Sequence, residues 1–188
     1  MKKITIITPT YNRAKTLPKV FESLLKQSFK DFLWIILDDG STDNTSTVVE
    51  NFQLFNPFFE IIYKKDKNRH KFLTVLEGVK MVKTPYFMVV DSDDIYPENA
   101  LETLISEVEK IENQDDYISV MGLSAYENGK IVGNQYPNNG FDGSIFEMRY
   151  KHNVRGDKFG IFITKTYQRE ISGKDFSHYE GKGYIPQS

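Results

Sequence analysis

The sequence predicts an α/β protein in which helices flank a mostly parallel β-sheet. Segments with the pattern of strands alternate with segments that have the pattern of helices throughout residues 1–112. The strand segments are apolar along their whole length, and each helix segment is apolar on one face only. Strands of a parallel sheet have this continuous apolar character because helices cover both faces of the sheet. The 188 residues are enough for one domain of this kind.

The predicted strands are short apolar runs rich in β-branched and aromatic residues. Residues 4–8 contain only isoleucine and threonine, which favour an extended backbone. The runs end at turn-forming residues such as proline, asparagine, aspartate and glycine. In chain order, the predicted strands are residues 4–8, 32–37, 59–63 and 86–90, with a later strand at 159–163.

The predicted helices carry apolar side chains three and four residues apart, as on one helix face. Pro18 falls in the first turn of the first helix, where a missing backbone N–H is tolerated. The four apolar stripes are Leu17, Val20, Phe21, Leu24 and Leu25; Val48, Val49 and Phe52; Phe72, Val75, Leu76, Val79 and Val82; and Leu101, Leu104, Ile105, Val108 and Ile111.

The rest of the chain, residues 113–188, lacks this regular alternation. Asn128 and Gly129 stand between two extended segments, and this pair is typical of a tight hairpin turn. Residues 133–143 are rich in glycine, asparagine and proline and predict a loop. The simplest organisation is a single domain, residues 1–188, with a regular part at 1–112 and an irregular part at 113–188.

Composition and charge exclude several classes of function. The net charge of −2 argues against a nucleic-acid partner held by bulk charge. The absence of cysteine excludes disulfides, thiolate metal sites and cysteine nucleophiles. No apolar run reaches the roughly 18 residues of a membrane span, and residues 4–10 are too short for the apolar region of a signal peptide. We therefore expect a cytoplasmic protein without a transmembrane segment.

Polar segments follow three of the predicted strands, at residues 8–13, 38–43 and 91–94. Ligands of open α/β sheets bind at the carboxyl ends of the strands, and parallel strands bring these segments to one edge. A cation would relieve the repulsion among the carboxylates there, and oxygen ligands without cysteine suit Mg²⁺ or Mn²⁺ held together with substrate phosphates. The carboxylates concerned are Asp38, Asp39, Asp91, Asp93 and Asp94.

Aspartate and serine after a strand also have an ordinary structural explanation, because both residue types form turns and cap helices. Either acidic segment alone is explained in this way, whereas two of them behind two apolar strands favour a ligand site. The glycine-rich phosphate motifs of dinucleotide-binding and P-loop proteins are absent, as are the HExxH metal motif and the serine elbow of hydrolases. The remaining interpretation is that phosphates bind through a metal ion.

Four blocks of the sequence match the motifs of a known family in order and spacing. They are IITPTYNR at residues 6–13, QSFKDF at 27–32, LDDGSTD at 37–43 and VDSDD at 90–94. Together they resemble the inverting family 2 glycosyltransferases, and the resemblance covers about residues 3–111. It implies the GT-A fold, which has a Rossmann-like, mostly parallel sheet flanked by helices, here followed by an irregular acceptor-side C-terminal part.

The resemblance implies a nucleotide-sugar donor, usually UDP-linked, that binds with Mg²⁺ or Mn²⁺ on its diphosphate. By position, Pro9, Thr10 and Tyr11 would hold the nucleoside, and Asp39 would contact the uracil. Lys71 is similar in place to a basic residue that faces the base or the diphosphate. A solvated lysine at the start of a helix explains Lys71 equally well.

The metal ligands implied by the resemblance lie in the last block. Asp91 and Asp93 match the D-x-D motif of the family, with Asp91 also contacting the donor. Asp93 is the first choice as the direct ligand, and the additional Asp94 leaves open which pair of carboxylates holds the ion.

The resemblance also implies a general base in the C-terminal part. Residues 178–186 look like the family's base-bearing segment, and Glu180 is the candidate base within it. Many relatives carry a second acid where this chain has Lys182, and the chain stops at Ser188, earlier than typical members. An exposed loop glutamate explains Glu180 equally well, and the acceptor side is expected to be incomplete.

The expected function is metal-dependent, inverting transfer of a sugar from a nucleotide-sugar to a hydroxyl of a glycan or lipid-linked acceptor, in polysaccharide or cell-envelope glycan synthesis. Two alternatives stay open: a metal-dependent nucleotidyl- or phosphotransferase, and a protein that only binds nucleotide sugars. The resemblance also allows a homodimer and peripheral association with the inner face of the membrane.

Overall fold

Strands and helices alternate from the start of the chain in the computed structural model, which describes residues 2–56, 58–137 and 140–179. The elements are β1 (Ile4–Thr10), α1 (Leu17–Lys26), β2 (Phe32–Asp38), α2 (Thr45–Phe55), β3 (Glu60–Lys65), α3 (Lys71–Met81), β4 (Tyr86–Val89), α4 (Ala100–Glu109), β5 (Ser119–Leu123), β6 (Lys158–Ile163) and α5 (Thr164–Ile171). Within these described ranges, no helix is long and apolar enough to cross a lipid bilayer.

The strands form one six-stranded sheet in the order β3-β2-β1-β4-β6-β5. β1 pairs in parallel with both β2 and β4, and β2 pairs in parallel with β3. β6 runs antiparallel to β4. The mostly parallel sheet predicted from the sequence is therefore confirmed, and β2, β1 and β4 point their carboxyl ends in the same direction.

Both faces of the sheet centre are buried, as the continuous apolar strands predict. On one face, Ile35 of β2 belongs to a cluster with Val79 of α3 and Phe87 of β4. On the other face, the adjacent Trp34 stacks near Phe52 of α2, with ring centroids 6.0 Å apart. Successive residues of a strand point to opposite faces, so β2 contributes side chains to both layers of the core.

The described residues divide into two compact units. The larger consists of the chain up to Val120 together with the chain from Ile161 onward, and the smaller is Met121–Gly160. Inside the smaller unit, the Tyr126 N–H donates to the Lys130 carbonyl over 2.9 Å, and the neighbouring Ala125 and Ile131 form an antiparallel bridge. These contacts confirm the hairpin turn that was predicted at Asn128 and Gly129.

Candidate active site

The carboxyl ends of β2, β1 and β4 form one polar edge of the sheet. We call it the acidic edge and define it as residues 8–13, 38–43 and 91–94. Thr10 is paired with Asp38 across the two strands, and the Asp39 N–H donates to the Thr10 carbonyl over 2.8 Å. The Val90 N–H donates to the Ile7 carbonyl over 2.9 Å. Parallel pairing thus brings the three polar segments side by side.

Asp38 has a structural function at this edge. Its side chain is 1% exposed, and its Oδ1 accepts a 2.7 Å hydrogen bond from the Ser41 N–H. Its Oδ2 accepts a hydrogen bond from the Tyr63 hydroxyl. Burial raises the pKa of Tyr63, and this hydrogen bond and the charge of Asp38 raise it further, so the phenol remains a donor. Asp38 is therefore part of the turn after β2, with both carboxylate oxygens hydrogen-bonded within the protein.

Asp39 is held at the wall of a small pocket. Its Oδ1 accepts hydrogen bonds from the Arg69 N–H over 2.7 Å and from the Thr74 hydroxyl over 2.8 Å. Two donors on one oxygen fix the orientation of the carboxylate, since hydrogen bonds to a charged acceptor are the strong ones. The pocket lies beside the ends of β2 and β3 and the start of α3, and it is lined by Leu37, Asp38, Asp39, Lys64, Asp66, Lys67, Arg69, Thr74 and Glu77.

The segment after β1 is tied to the segment after β2 by Asn12. Its backbone has a φ of +54°, in the left-handed region that asparagine tolerates better than most residues. Its Oδ1 accepts from the N–H groups of Thr42 and Asp43, over 2.8 and 3.2 Å, and its own N–H donates to the Ser41 hydroxyl over 2.8 Å. One asparagine side chain therefore sets the distance between the two segments.

The three residues expected to hold the nucleoside differ in exposure. Pro9 and Thr10 are buried in β1, whereas Tyr11 is 48% exposed. The Thr10 hydroxyl makes no hydrogen bond within the part of the chain that the structure describes. Only the Tyr11 ring presents a broad side-chain surface to solvent at this position.

The carboxylates after β4 are accompanied by cations from other segments. Asp91 Oδ2 lies 2.6 Å from the Lys71 ammonium nitrogen at the start of α3, and Asp93 Oδ2 lies 3.8 Å from the Arg13 guanidinium. The Asp94 N–H donates to the Asp91 carbonyl over 3.2 Å and closes a turn. Residues 91–94 contain no Lys or Arg, but the fold brings two cations to them, Lys71 from α3 and Arg13 from the segment after β1.

Gln27 is a positioning residue to which the sequence analysis assigned no role. Its side chain is 1% exposed, and its amide nitrogen donates to the Pro97 carbonyl over 2.7 Å. Its Oε1 accepts from the Leu101 N–H over 3.1 Å. These bonds fix the chain that leaves residues 91–94. The available signal was spacing, because Gln27 follows Leu24 by three positions and so falls on the apolar stripe of α1.

Asp91 and Asp93 fit a divalent cation that is shared with a phosphate ligand. Among the described residues, no group of three or more acidic or histidine side chains could hold an ion on its own. Mg²⁺ is usually bound through one or two carboxylates together with water and substrate phosphates. Two carboxylates in one exposed turn suit that manner of binding and do not suit a closed, all-protein site.

Glu180 lies outside the described residues. The residues that precede it pack on the start of α3: the Tyr179 and Phe176 rings lie edge-on to Phe72, with centroids 5.4 and 5.7 Å away. Phe72 directly follows Lys71 in α3. The end of the described chain is therefore fixed beside the helix that carries Lys71.

The fold is that of the GT-A glycosyltransferases, as predicted. TarS of Staphylococcus aureus is 21% identical, with a TM-score of 0.62 over 90% of this chain and 30% of TarS. A TarS fragment has also been solved with UDP and with UDP-GlcNAc. The mannosyltransferase PcManGT of Pyrobaculum calidifontis, solved with GDP-Man and Mn²⁺, is 16% identical, with a TM-score of 0.63 over 92% of this chain and 47% of that protein.

The family model "Glycosyl transferase family 2" matches residues 5–171. The chain belongs to this family of glycosyltransferase enzymes. It is 29% identical over 183 residues to the GalNAc(5)-diNAcBac-PP-undecaprenol beta-1,3-glucosyltransferase of Campylobacter jejuni, covering 94% of this chain and 56% of that enzyme. It is 34% identical over 127 residues to the Staphylococcus aureus poly(ribitol-phosphate) beta-N-acetylglucosaminyltransferase TarP, covering 65% of this chain and 38% of TarP. The chain thus spans about a third to just over half of the length of such relatives.

Proposed function

We propose that this chain transfers a sugar from a nucleotide-sugar, with a UDP-linked donor preferred, to an acceptor hydroxyl, and that the reaction depends on a divalent metal. The observation that carries the proposal is the acidic edge, where the Asp39 pocket and the carboxylates of residues 91–94 lie at the ends of β2 and β4, the two strands that flank β1. Family membership supports sugar transfer. The donor chemistry and the metal are supported by the UDP and UDP-GlcNAc complexes of TarS and by the GDP-Man and Mn²⁺ complex of PcManGT.

We assign nucleoside binding to the segment after β1 and to the Asp39 pocket. Asp39 would contact the base, since its carboxylate is already oriented by Arg69 and Thr74. Tyr11 offers the exposed ring on which the nucleoside would pack. Pro9 and Thr10 are buried, so their contribution would come through the backbone of the strand end.

We assign the diphosphate to the segment after β4. Asp93, with Asp91 and the adjacent Asp94, would hold Mg²⁺ or Mn²⁺, which would neutralise the charge that builds on the leaving diphosphate. Lys71 lies close enough to Asp91 to reach an oxygen of the same diphosphate. All of the residues that we assign to the donor and the metal lie in the regular part of the chain, residues 1–112.

We assign the acceptor side to residues 113–188 and the general base to Glu180. A carboxylate base would remove the proton of the acceptor hydroxyl while that oxygen attacks the anomeric carbon and the nucleoside diphosphate leaves. This single displacement inverts the anomeric centre and needs no covalent enzyme intermediate. Tyr179, the residue before Glu180, packs against Phe72 in the helix that begins at Lys71. This contact supports the assignment.

A role in cell-envelope glycan synthesis is proposed from the relatives. One of them is named as acting on an undecaprenol-linked glycan and another on poly(ribitol-phosphate). A glycan or lipid-linked acceptor for this chain follows from that likeness, and so does peripheral association with the membrane where a lipid-linked acceptor resides.

The test is the melting temperature of the chain with nucleotides and nucleotide sugars, with and without Mn²⁺. A ligand present at 100 times its Kd stabilises the folded state by about 2.7 kcal/mol, which a thermal melt detects. We expect UDP and a UDP-sugar to raise the melting temperature in the presence of Mn²⁺. We expect Asp93→Asn to remove the Mn²⁺-dependent part, and the exposed Asp31→Asn to retain it.

The melting experiment, followed by an assay of the released product, separates the three functions: sugar transfer, nucleotidyl transfer and nucleotide-sugar binding alone. The donor-site proposal fails if no nucleoside diphosphate at saturation shifts melting with either Mn²⁺ or Mg²⁺. Where binding is observed, release of UDP from a UDP-sugar supports sugar transfer, and release of pyrophosphate from a nucleoside triphosphate instead supports a nucleotidyltransferase. Donor binding without any turnover supports a protein that only binds nucleotide sugars.

A further inference from the structure

A groove of about 620 Å³ lies at the opposite end of β4 from residues 91–94. We call it the basic groove. One wall is the segment before β4, and the other is the first two turns of α5. Its volume is within the range of small-ligand sites, about 300–1,000 Å³. The groove is lined by Val82, Lys83, Thr84, Pro85, Thr164, Lys165, Gln168, Arg169 and Ser172.

The charged residues that line the basic groove are all cations. They are Lys83, Lys165 and Arg169, and none of the lining residues is acidic. Arg169 forms an ion pair with Glu170, whose Oε1 lies 3.5 Å from Arg169 Nε. Both side chains of that pair are more than half exposed, so solvent weakens their interaction. The residues that line the groove therefore carry a net positive charge.

Thr164 adds a buried donor to this wall. It is 6% exposed, and its hydroxyl makes no hydrogen bond with any residue that the structure describes. Buried side-chain polar atoms are bonded in the large majority of cases, so an unpartnered hydroxyl lining a groove indicates a ligand atom. The backbone N–H of Thr164, in contrast, has a partner, since it donates to the Pro85 carbonyl over 2.9 Å.

The start of α5 lies in the same wall, since Thr164 is the first residue of that helix. The Thr164 N–H donates to the Pro85 carbonyl, but the next N–H groups of the first turn, those of Lys165 and Thr166, have no acceptor within the helix. The helix dipole favours negative charge at this end. Helix start, hydroxyl and cations together favour an anion with several acceptor oxygens. A phosphate group meets this description, because it is charged and accepts hydrogen bonds in several directions.

We propose that the basic groove binds a phosphate group, carried either by a soluble phosphate ester or by a lipid headgroup. This site is separate from the donor site, which was assigned to the other end of β4, and the inference does not rest on the proposed function. The chemistry shared by both sources is a phosphate that accepts from Thr164 and the α5 amides and pairs with Lys83, Lys165 and Arg169.

The test is titration of the full chain with glycerol 3-phosphate while the backbone amide resonances of residues 164–169 are followed by NMR. A parallel titration uses vesicles of phosphatidylglycerol, with phosphatidylcholine vesicles as the uncharged comparison. We expect saturable changes in these amides. The double variant Lys165→Gln with Arg169→Gln should weaken binding about tenfold or more, a loss of roughly 1.4 kcal/mol. The control, Lys19→Gln on the exposed side of α1, should bind like the unmodified chain.

A second variant tests the hydroxyl itself. Thr164→Val keeps the shape of the side chain and removes an unsatisfied buried polar atom, so the melting temperature without ligand should stay the same or rise. Binding should nevertheless weaken several-fold. A Thr164→Val chain that binds phosphate as tightly as the unmodified chain overturns the role of the hydroxyl.

The two titrations also identify the source of the phosphate. Response to glycerol 3-phosphate supports a soluble ester, and response to phosphatidylglycerol vesicles alone supports a lipid headgroup. The proposal is overturned if neither ligand changes the residue 164–169 amides, or if Lys19→Gln weakens binding as much as the double variant does.

Discussion

At the scale of single residues, Asp43 shows how one carboxylate joins two segments of the acidic edge. Its Oδ1 accepts from the Thr45 N–H over 3.0 Å and from the Thr45 hydroxyl over 2.5 Å, and its Oδ2 accepts from the Ala14 N–H over 3.1 Å. Slight burial raises the pKa of Asp43, but the hydrogen bonds from Thr45 and Ala14 outweigh it, and the net pKa is lowered. The charged form is therefore the one that the fold prefers.

This preference predicts a pH-dependent stability. A lowered pKa stabilises the folded state above the unfolded-state pKa of about 3.9, and the contribution is lost as the pH falls through the folded-state value. Asp43→Asn should lower the unfolding free energy by about 1 kcal/mol or less near pH 7, because the site is exposed. The difference from the unmodified chain should shrink below about pH 4. Urea denaturation across this range measures it.

A control separates this effect from the general loss of a negative charge. Asp116→Asn, an exposed aspartate before β5, should change stability little at either pH. If Asp43→Asn destabilises the chain equally at neutral and acid pH, the ionised carboxylate is not the stabilising species.

A residue of the site could be predicted from the sequence where its position after a strand was enough to locate it in the fold. Asp39 and Asp93 lie in the short polar segments that follow apolar strands, so their location at the edge required only the strand direction. The cations could not be predicted in this way, since Arg13 meets Asp93 only through the folded sheet. The roles of Asn12 and Gln27 were missed for the same reason, because their partners are distant in sequence.

At the scale of elements, the contact of α3 with the sheet depends on Gly78. A Cβ at this position would lie 2.6 Å from Leu37 Cδ1 and 2.9 Å from Ile7 Cγ2. Both of these side chains are buried, with exposures of 4% and 0%, so neither can move without disturbing the core. The absence of a side chain at Gly78 lets α3 approach β1 and β2 closely.

We therefore expect Gly78→Ala to destabilise the chain. Alanine gains about 1 kcal/mol over glycine in a helix interior, but overpacking a core costs about 1–3 kcal/mol. The net result should be an unfolding free energy lower by up to about 2 kcal/mol, measured by urea denaturation. Adding Leu37→Val to Gly78→Ala should recover part of the loss. An alanine variant as stable as the unmodified chain would mean that the helix can shift outward freely.

The elements that periodicity could predict are those with a full apolar stripe or a continuous apolar run. β1, β2, β3 and β4 and the helices between them are confirmed on that basis. The helix α5 was not predicted, because its sequence, TKTYQREI, is mostly polar. It is held instead by Tyr167 and Ile171, which pack against the core cluster from one side. The antiparallel direction of β6 likewise has no local signal, since it follows from the path of the intervening chain.

At the scale of the whole molecule, the proposed mechanism has the C-terminal segment act on a donor that is bound by the first part of the chain. Glu180→Gln should lower the rate of transfer, or of slow donor hydrolysis, by about 10²–10⁴-fold, the usual contribution of a general base. UDP affinity should stay near that of the unmodified chain, because the proposed donor contacts lie at the ends of β1, β2 and β4. Turnover and UDP binding measured side by side test this.

Asp116→Asn is the control, since it removes an exposed aspartate that has no part in the proposed mechanism, and it should leave turnover unchanged. Equal turnover in Glu180→Gln and the unmodified chain removes Glu180 from the mechanism. Asp157 and Asp175 are then the next residues to test as the base.

Lys71 and Arg13 form ion pairs with Asp91 and Asp93, the carboxylates that are proposed to bind the metal. These two cations therefore compete with the metal ion. Mn²⁺ alone would have to displace the Lys71 ammonium and the Arg13 guanidinium, and both would lose a partner. A nucleoside diphosphate supplies new anionic partners for the displaced side chains, so metal and nucleotide should each increase the affinity for the other, as linkage requires.

Calorimetry should therefore find weak binding of Mn²⁺ alone and much tighter binding when UDP is present. The Lys71→Gln variant should bind Mn²⁺ alone more tightly and Mn²⁺ in the presence of UDP more weakly. Both changes reduce the factor by which UDP increases the affinity for Mn²⁺. Lys80→Gln, which removes another α3 lysine that pairs with a carboxylate, should leave the coupling unchanged. The ion pairs of the donor-free chain would then delay full occupation by the metal until the nucleotide sugar has arrived.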